Sequence, residues 1–249
     1  MHLEFVPLLR VQRELYDLPR GPERFREYLQ TMIDPGTRDL RLPLAAMNPM
    51  AKDHVPALLD DLLGLDVEHT AARAVAEVAA QLTEAPGSFK VALVLADDAL
   101  GGWTNRTTTD FSHRFEDHAL LKRGWITGIL WTGDKPSRGI VRDEISMCIF
   151  RVDHIRRHGS ARTLREMLAQ EGRVMVAARA LGPTLAPDEL NDTREIIRPY
   201  LDSTDRAIIV ACLFGDNAAV ALGYAGQGLS ANAGLALARH DAQTNAIPA

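Results

Sequence analysis

Three short apolar runs restrict the fold of this chain more than any other feature of its sequence. They read Lys-Val-Ala-Leu-Val-Leu-Ala at 90–96, Trp-Ile-Thr-Gly-Ile-Leu-Trp at 125–131 and Ala-Ile-Ile-Val-Ala-Cys-Leu at 207–213. Continuous apolar runs of this length between polar or turn-forming residues are typical of strands that are buried on both faces of a sheet. We therefore predict that these three segments are strands of one small central sheet.

The residues around these runs mostly have the apolar spacing of helices. The first 86 residues predict a series of helices, of which the first covers residues 5–17. Between the second and third runs the spacing predicts helices over 140–157, 161–181 (with a break at Gly172) and 187–201. Helical segments therefore outnumber strands.

Strands with two apolar faces need a layer of structure against each face. We therefore predict a helix-dominated α/β fold: a small central sheet of about three or more buried strands, helices on both of its faces, and a helical N-terminal third. The sequence contains no linker, internal repeat or low-complexity tract. We expect a single domain over residues 1–249, with a helical part at 1–86 and an α/β part at 87–249.

The composition is that of an ordinary folded protein. Hydrophobic residues make up 46% and charged residues 24% of the chain, which argues against disorder. The formal net charge of -5 offers no general attraction for nucleic acid. The N-terminal residues Met-His-Leu-Glu-Phe lack the basic and apolar regions of a signal peptide. We expect a soluble, cytoplasmic protein with neither a nucleic-acid nor a membrane partner.

The two cysteines, Cys148 and Cys212, both lie in apolar segments. That setting is typical of small buried thiols rather than of a disulfide framework. We predict that both side chains are buried and that they do not form a disulfide with each other.

One C-terminal segment, Asn217 to Ala238, contains no Lys, Arg, Asp or Glu. It is long enough to span a bilayer, but its glycines and polar side chains would interrupt a membrane helix. Two interpretations stay open. The segment is either a subunit interface of a homo-oligomer, since interface cores are depleted in charge, or it is buried within the monomer.

Residues 97–118 form the segment most typical of a functional site. Several of its side chains can transfer a proton or bind a metal: Asp97, Asp98, Asp110, His113, Glu116, Asp117 and His118. We interpret the segment as a long polar loop that begins where the first predicted strand ends. Because ligands bind at the carboxyl ends of strands in open α/β sheets, we expect this loop to form the wall of a polar pocket.

The residue types in this loop predict separate roles. Asp97 and Asp98 are the candidate catalytic carboxylates, and Asp216, which follows the third predicted strand, would join them at the same edge of the sheet. The candidate substrate-binding residues are Trp103, Asn105 and Arg106. Trp103 offers an aromatic wall, Asn105 an amide, and Arg106 a guanidinium that could bind a carboxylate or phosphate.

The same loop contains nitrogen and oxygen ligands that suit a divalent metal ion. His113, His118 and Asp110 are the candidate ligands, and they would leave an open position for water. The two histidines do not share a helical face, and no recognised zinc motif is present. The alternative is a solvated loop whose Asp and Thr residues cap turns and helices. The cofactor is therefore unknown, with a divalent metal ion as the candidate.

Two functional hypotheses follow from these observations. The first is an enzyme that acts on a small polar molecule by hydrolysis or lysis, which a metal ion could assist by lowering the pKa of a bound water. The second is a non-catalytic small-molecule-binding or assembly protein with a C-terminal self-association surface. The residue pattern is compatible with both, so whether the chain is an enzyme stays open at this stage.

Overall fold

A computed structural model of the chain describes residues 1–99, 104–116 and 119–246. The chain divides into two compact units. The first consists of Met1–Thr109 and Asp117–Ile149, and the second consists of Asp110–Glu116 and Phe150–Ala249. The single domain that the sequence predicts stays a prediction.

The first unit contains a sheet of three parallel strands, which are β1 (His2–Phe5), β2 (Ser88–Ala96) and β3 (Trp125–Trp131). β2 lies between the other two, and its last residue, Ala96, pairs with Trp131 at the end of β3. Every residue of β3 and the last six residues of β2 are buried. The strands predicted at 90–96 and 125–131 are confirmed, as is the helix-dominated α/β fold.

Helices make up most of the rest of the described chain. In chain order they are α1 (Leu8–Leu15), α2 (Pro22–Met32), α3 (His54–Gly64), α4 (Val67–Gln81), α5 (Arg106–Phe115), α6 (Ala119–Lys122), α7 (Arg138–His158), α8 (Leu164–Ala177), α9 (Pro187–Ile197), α10 (Arg206–Phe214), α11 (Asp216–Ala221) and α12 (Ala233–Ala246). Helices α1, α4 and α6 pack against the three strands, which supplies the apolar cover that buried strands require.

The third predicted strand, at 207–213, is wrong, because these residues lie in helix α10. The side chain of Asp205 caps this helix by accepting a hydrogen bond from the backbone N–H of Ala207 at 2.8 Å. The helix is buried along its whole second half, so it is apolar on every side. Periodicity alone does not distinguish a helix buried all round from a strand buried on both faces.

The helix predicted over residues 5–17 is also partly wrong. Residues 2–5 form strand β1, and the helix is confined to Leu8–Leu15. The backbone N–H of His2 donates to the carbonyl of Gly87 at 2.8 Å, which extends the pairing of β1 with β2. A strand of four residues is too short to show a periodic pattern, and its stability depends on pairing with a distant segment.

Part of the long polar loop predicted at 97–118 is a helix, since α5 covers residues 106–115. The oxygen Oδ1 of Asn105 accepts the backbone N–H of Thr108 at 2.9 Å and so caps its start. Phe111 and Phe115 are the buried residues of this helix, and their ring centroids lie 5.4 Å apart. Two apolar residues one turn apart give too weak a pattern to identify a helix among so many polar side chains.

In the second unit, helix α8 continues through Gly172, where the sequence predicts a break. A Cβ atom at this position would lie 2.4 Å from the backbone oxygen of Ala238 in α12. The glycine therefore allows two helices to pack closely. A larger residue would force the helices apart, which would destabilise the fold more than the low helix propensity of glycine does.

A buried ion cluster also belongs to the second unit. Glu171 is fully buried, and its carboxylate accepts hydrogen bonds from Nε and Nη2 of Arg151 at 2.8 and 2.9 Å. Arg114 bonds the same carboxylate from helix α5. Burial by itself raises the pKa of Glu171, but the two guanidinium groups outweigh it and hold that pKa well below its usual range.

The uncharged C-terminal segment contributes to the interior of the second unit. Residues 233–238 and Leu229 are buried, whereas most of 217–232 is exposed or half-buried, with Val220 at 64%. Burial within the monomer therefore accounts for only part of this segment. Self-association stays a prediction. Within residues 1–99, 104–116 and 119–246, no helix has both the length and the hydropathy that a bilayer span requires. Cys148 and Cys212 are both buried and are not joined by a disulfide, as predicted.

Candidate functional site

Two neighbouring strands of the first unit end side by side, and polar residues follow both of them. Thr132 continues the pairing beyond β3 by donating its backbone N–H to the carbonyl of Ala96 at 3.1 Å. The residues that follow are therefore held at the edge of the sheet where α/β proteins bind ligands. We call the polar side chains gathered there the carboxyl-edge cluster, which consists of Asn48, His54, Asp97, Asp98, Arg106, Thr132 and Asp134.

Asp97 is the buried centre of this cluster, with 2% of its surface exposed. Its Oδ2 accepts a hydrogen bond from Nδ2 of Asn48 at 2.9 Å, and its Oδ1 lies 2.9 Å from Nε2 of His54. The hydroxyl of Thr132 lies 3.2 Å from the same Oδ1. A carboxylate in the interior needs hydrogen bonds in place of its lost water. Asn48 and His54 supply them here, and Thr132 adds a third when its proton points to Asp97.

Asn48 is held in position by two further hydrogen bonds. Its side-chain Oδ1 accepts a hydrogen bond from the backbone N–H of Met50 at 3.0 Å, and its backbone carbonyl accepts one from the hydroxyl of Tyr16 at 2.6 Å. Burial, followed by the charge of Asp97, raises the pKa of Tyr16, which keeps the hydroxyl protonated as a donor. Asn48 is therefore a fixed donor to the Asp97 carboxylate.

His54 is the first residue of α3, and its two ring nitrogens have different surroundings. Nε2 faces the acceptor Oδ1 of Asp97, so in the neutral ring it is Nε2 that carries the proton. Nδ1 is then the acceptor, and it is buried without a hydrogen-bond partner among the described residues. Buried polar atoms are nearly always paired, so this unfilled acceptor is the most unusual feature of the cluster.

Asp98 is bound to the end of the neighbouring strand. Its Oδ1 accepts the backbone N–H of Gly133 at 2.7 Å and lies 3.0 Å from the hydroxyl of Thr132. A Cβ at position 133 would lie 3.1 Å from Oδ2 of Asp98, so the glycine permits this close approach. Thr132 has one hydroxyl proton and lies beside two carboxylates, so it can donate to only one of Asp97 and Asp98 at a time.

Arg106 is the partly exposed cation of the cluster, with 40% of its side chain accessible to solvent. Its Nη1 and Nη2 each donate to one carboxylate oxygen of Asp134 at 2.8 Å, and Nη1 also lies 3.2 Å from Oδ2 of Asp98. Its guanidinium carbon lies 5.4 Å from the ring centroid of Trp131. The guanidinium that the sequence suggests for a substrate carboxylate or phosphate is thus engaged by two carboxylates of the chain itself.

The cluster has an acidic balance. It contains three carboxylates and one guanidinium, so with His54 neutral its formal charge is about -2. A site with this charge favours a ligand group that donates hydrogen bonds or carries positive charge, such as an amine or a hydroxyl, and repels an anion.

The other predicted substrate-binding residues have different outcomes. Asn105 is exposed, and its side chain caps helix α5 as described above. Trp103 lies outside the described residues, and so does His118. The prediction that residues 97–118 form the wall of a pocket therefore stays a prediction. Asp98 is half-buried, with 12% of its side chain exposed.

The two remaining candidate metal ligands, Asp110 and His113, lie three residues apart on helix α5 and belong to the second unit. Both side chains are half-buried. In the part of the chain that the structure describes, no three His, Cys, Asp or Glu side chains are grouped in a way that could hold a metal ion. The metal site predicted from these two residues and His118 stays a prediction.

Asp216 is the first residue of α11, in the second unit. Its carboxylate accepts the backbone N–H groups of Gln227, Gly228 and Leu229 at 2.8, 2.9 and 3.1 Å. Burial acts to raise the pKa of Asp216, but these three donors outweigh it and lower that pKa. The expectation that Asp216 joins Asp97 and Asp98 rests on a strand at 207–213, and these residues form a helix instead.

Sequence reasoning missed four members of the cluster. Thr132 and Asp134 follow the second predicted strand as Asp97 and Asp98 follow the first, so the same rule could have selected them. Asn48 and His54 precede Asp97 by 49 and 43 residues and have no comparable signal. Only the folded chain brings them to the end of β2.

Comparison with known proteins adds no assignment to this geometry. No protein-family model matches the chain, and neither a curated protein nor a solved structure matches it significantly.

Proposed function

We propose that this protein is an enzyme that acts on a small polar molecule, with His54 as a general base and Asp97 as the residue that orients it. The observation that carries the proposal is the asymmetry of the His54 ring. One nitrogen is hydrogen-bonded to a buried carboxylate, and the other is an acceptor that has no hydrogen-bond partner among the described residues. General bases are commonly histidines in this state, because the carboxylate fixes the tautomer and stabilises the protonated ring.

The chemistry begins with removal of a proton by Nδ1 of His54. The proton comes either from water, which then attacks the substrate in a hydrolysis, or from the substrate itself in a lysis. The positive charge that forms on the ring is stabilised by Asp97, which Asn48 and Thr132 hold in place. The acidic balance of the cluster favours substrates with amino or hydroxyl groups.

Access to this nitrogen requires a local rearrangement. Nδ1 is screened from solvent by neighbouring protein atoms, whereas 22% of the His54 side chain is exposed. The residues that precede α3, from 48 to 53, form neither helix nor strand. We place the movement that admits substrate at Lys52 and Asp53, which are exposed just before α3, while Asn48 stays in place.

Metal assistance is a separate part of the hypothesis. His113, His118 and Asp110 would be the ligands, as the sequence suggests, and a metal ion would supply an activated water. Metal analysis of untagged protein tests this part. About one ion per chain, lost on substitution of His113 by Gln, would support it, and a metal-free but active protein would contradict it.

The main test is a screen for turnover of small polar molecules, including amino acids, amines, sugars and nucleosides. Proton NMR monitors the conversion of each compound. We expect His54→Gln to lower the rate of any conversion by at least about 100-fold. His69→Gln, which removes an exposed histidine of α4, is the matched control and should keep the full rate. Equal rates for both variants would contradict the assignment of the base.

The screen also separates the enzyme from the non-catalytic alternative. A compound that raises the melting temperature but is never consumed would favour a small-molecule-binding protein. In that case His54→Gln would weaken binding, and no product would appear with either protein.

A further inference from the structure

The second unit contains a groove whose lining includes no residue of the proposed reaction. The groove has a volume of about 880 Å³ and lies between helices α8, α9 and α12. This volume is typical of sites for small organic ligands, which range from roughly 300 to 1,000 Å³. Its walls are largely apolar, with Leu168, Val176, Ile197, Leu201 and Leu237 among the lining residues.

The groove is bordered by arginines. Arg165 and Arg173 line it from α8, and Arg194 and Arg198 line it from α9 and the turn that follows. Among the described lining residues, Asp241 is the single acid. An apolar floor with a basic border complements a molecule that has an apolar body and an anionic group.

Three of these arginines already have carboxylate partners. Arg165 pairs with Asp202 at 3.0 Å, Arg194 with Asp241 at 2.6 Å, and Arg198 with Glu195 at 2.9 Å. Each of these guanidinium groups is therefore at least partly neutralised.

Arg173 differs from the other three. It forms no ion pair within the described residues, and its side chain is exposed at the groove. It lies eight residues from Arg165 on the same helix, with Leu168 and Ala169 between them. One free planar guanidinium beside an apolar wall matches one carboxylate, which it can bind through two parallel hydrogen bonds.

We propose that this groove binds a free medium-chain carboxylate, with its chain along α8 and α12 and its head group on Arg173. A single unpaired arginine suits a group with one negative charge better than a dianionic phosphate. The walls bury the chain, which gives affinity through the removal of apolar surface from water. This site is independent of His54, so either proposal can fail without the other.

Isothermal titration of the full chain with decanoate tests the site. We expect one decanoate per chain and binding at least about tenfold weaker for propanoate, which lacks the chain, and for decyltrimethylammonium, which has the opposite charge. Arg173→Gln should weaken decanoate binding by about tenfold or more. Arg162→Gln, at an exposed arginine outside the groove, should leave it within about twofold.

A variant that fills the groove completes the test. Ala169 is exposed and lines the groove, so Ala169→Phe should abolish decanoate binding while the melting temperature stays near that of the native chain. The proposal is overturned if decanoate does not bind, if the cation binds equally well, or if Arg162→Gln and Arg173→Gln weaken binding equally. A dimer that Ala169→Phe dissociates would also overturn it, because a second copy of the chain would then cover the groove. Co-sedimentation of the protein with anionic phospholipid vesicles would overturn it as well, because the groove would then bind a membrane surface.

Discussion

Nε2 of His54 lies 2.9 Å from Oδ1 of Asp97, although 43 residues separate them in the chain. The carboxylate is almost completely buried at the end of β2, and the histidine begins a helix. This contact fixes which ring nitrogen carries the proton and leaves the other as an acceptor. The proposed reaction depends on that asymmetry, so its consequences are the first to test.

The tautomer of His54 can be measured directly. We expect nitrogen chemical shifts of the neutral ring to show the proton on Nε2, because Asp97 accepts it there. Asp97→Asn should remove this preference, since an amide can present either a donor or an acceptor. A native protein with the proton on Nδ1 would contradict the assignment of that atom as the base.

Thr132, which is half-buried, and Thr127, which is buried, differ in the hydrogen bonds of their hydroxyls, so they serve as a test and its control. Oγ1 of Thr132 accepts the backbone N–H of Asp98 at 3.1 Å and lies near two carboxylates, whereas Oγ1 of Thr127 is buried and has no hydrogen-bond partner in the described part of the chain. We expect Thr132→Val to lower the free energy of unfolding by about 1–3 kcal/mol. Thr127→Val should be neutral or stabilising, because it removes an unpaired polar atom of nearly the same volume. Urea denaturation measures the unfolding free energy of both variants. An equal loss of unfolding free energy in the two would contradict the assignment of the Thr132→Val effect to the hydrogen bonds of Thr132.

Gly172 allows α8 and α12 to approach closely. We expect Gly172→Ala to destabilise the protein by about 2 kcal/mol or more, because its Cβ would meet a backbone oxygen at 2.4 Å. Gly64→Ala is the control, since position 64 ends helix α3 and has no atom within 4 Å of the added Cβ. Thermal denaturation should show a lower melting temperature for Gly172→Ala and an unchanged or higher one for Gly64→Ala. Similar melting temperatures for the native chain and Gly172→Ala would contradict the close packing.

Glu171 makes stability depend on pH. Its pKa in the folded state lies below the ordinary value of 4.5, so the ionised form is favoured by folding. The resulting stabilisation is complete above that ordinary value and is lost as pH falls through the folded pKa. Glu171→Gln should cost about 3–5 kcal/mol at neutral pH, because two arginines lose their carboxylate.

The pH profile distinguishes this charge effect from a simple packing defect. The difference in unfolding free energy between the native chain and Glu171→Gln should shrink as pH is lowered below about 4.5. Glu195→Gln, at an exposed ion pair with Arg198, should show little difference at any pH. A difference that is constant from neutral to acid pH would show that the charge of Glu171 is not the cause.

Cys212 should be nearly unreactive in the native protein. Burial raises the pKa of its thiol to about 11, so the thiolate is rare at neutral pH. A thiol reagent should label it slowly under native conditions, and should label both cysteines rapidly after denaturation. Rapid native labelling of Cys212 would restore it as a candidate nucleophile.

The two strands that end at the site could be predicted from local sequence alone. The runs at 90–96 and 125–131 are apolar throughout because both faces of each strand are buried, and that requirement can be read locally. The carboxylates that follow the first strand were found for the same reason, since a polar residue directly after a buried strand lies at the edge of the sheet.

Other parts of the fold depend on contacts between segments that are distant in the chain. Residues 207–213 are as apolar as the two strands but lie in a helix, because burial on all sides removes the periodicity that would distinguish the two forms. β1 exists only through its pairing with β2. Asn48 and His54 reach Asp97 through folding of distant segments, and the hydrogen bonds that define the site form between residues that no local pattern connects.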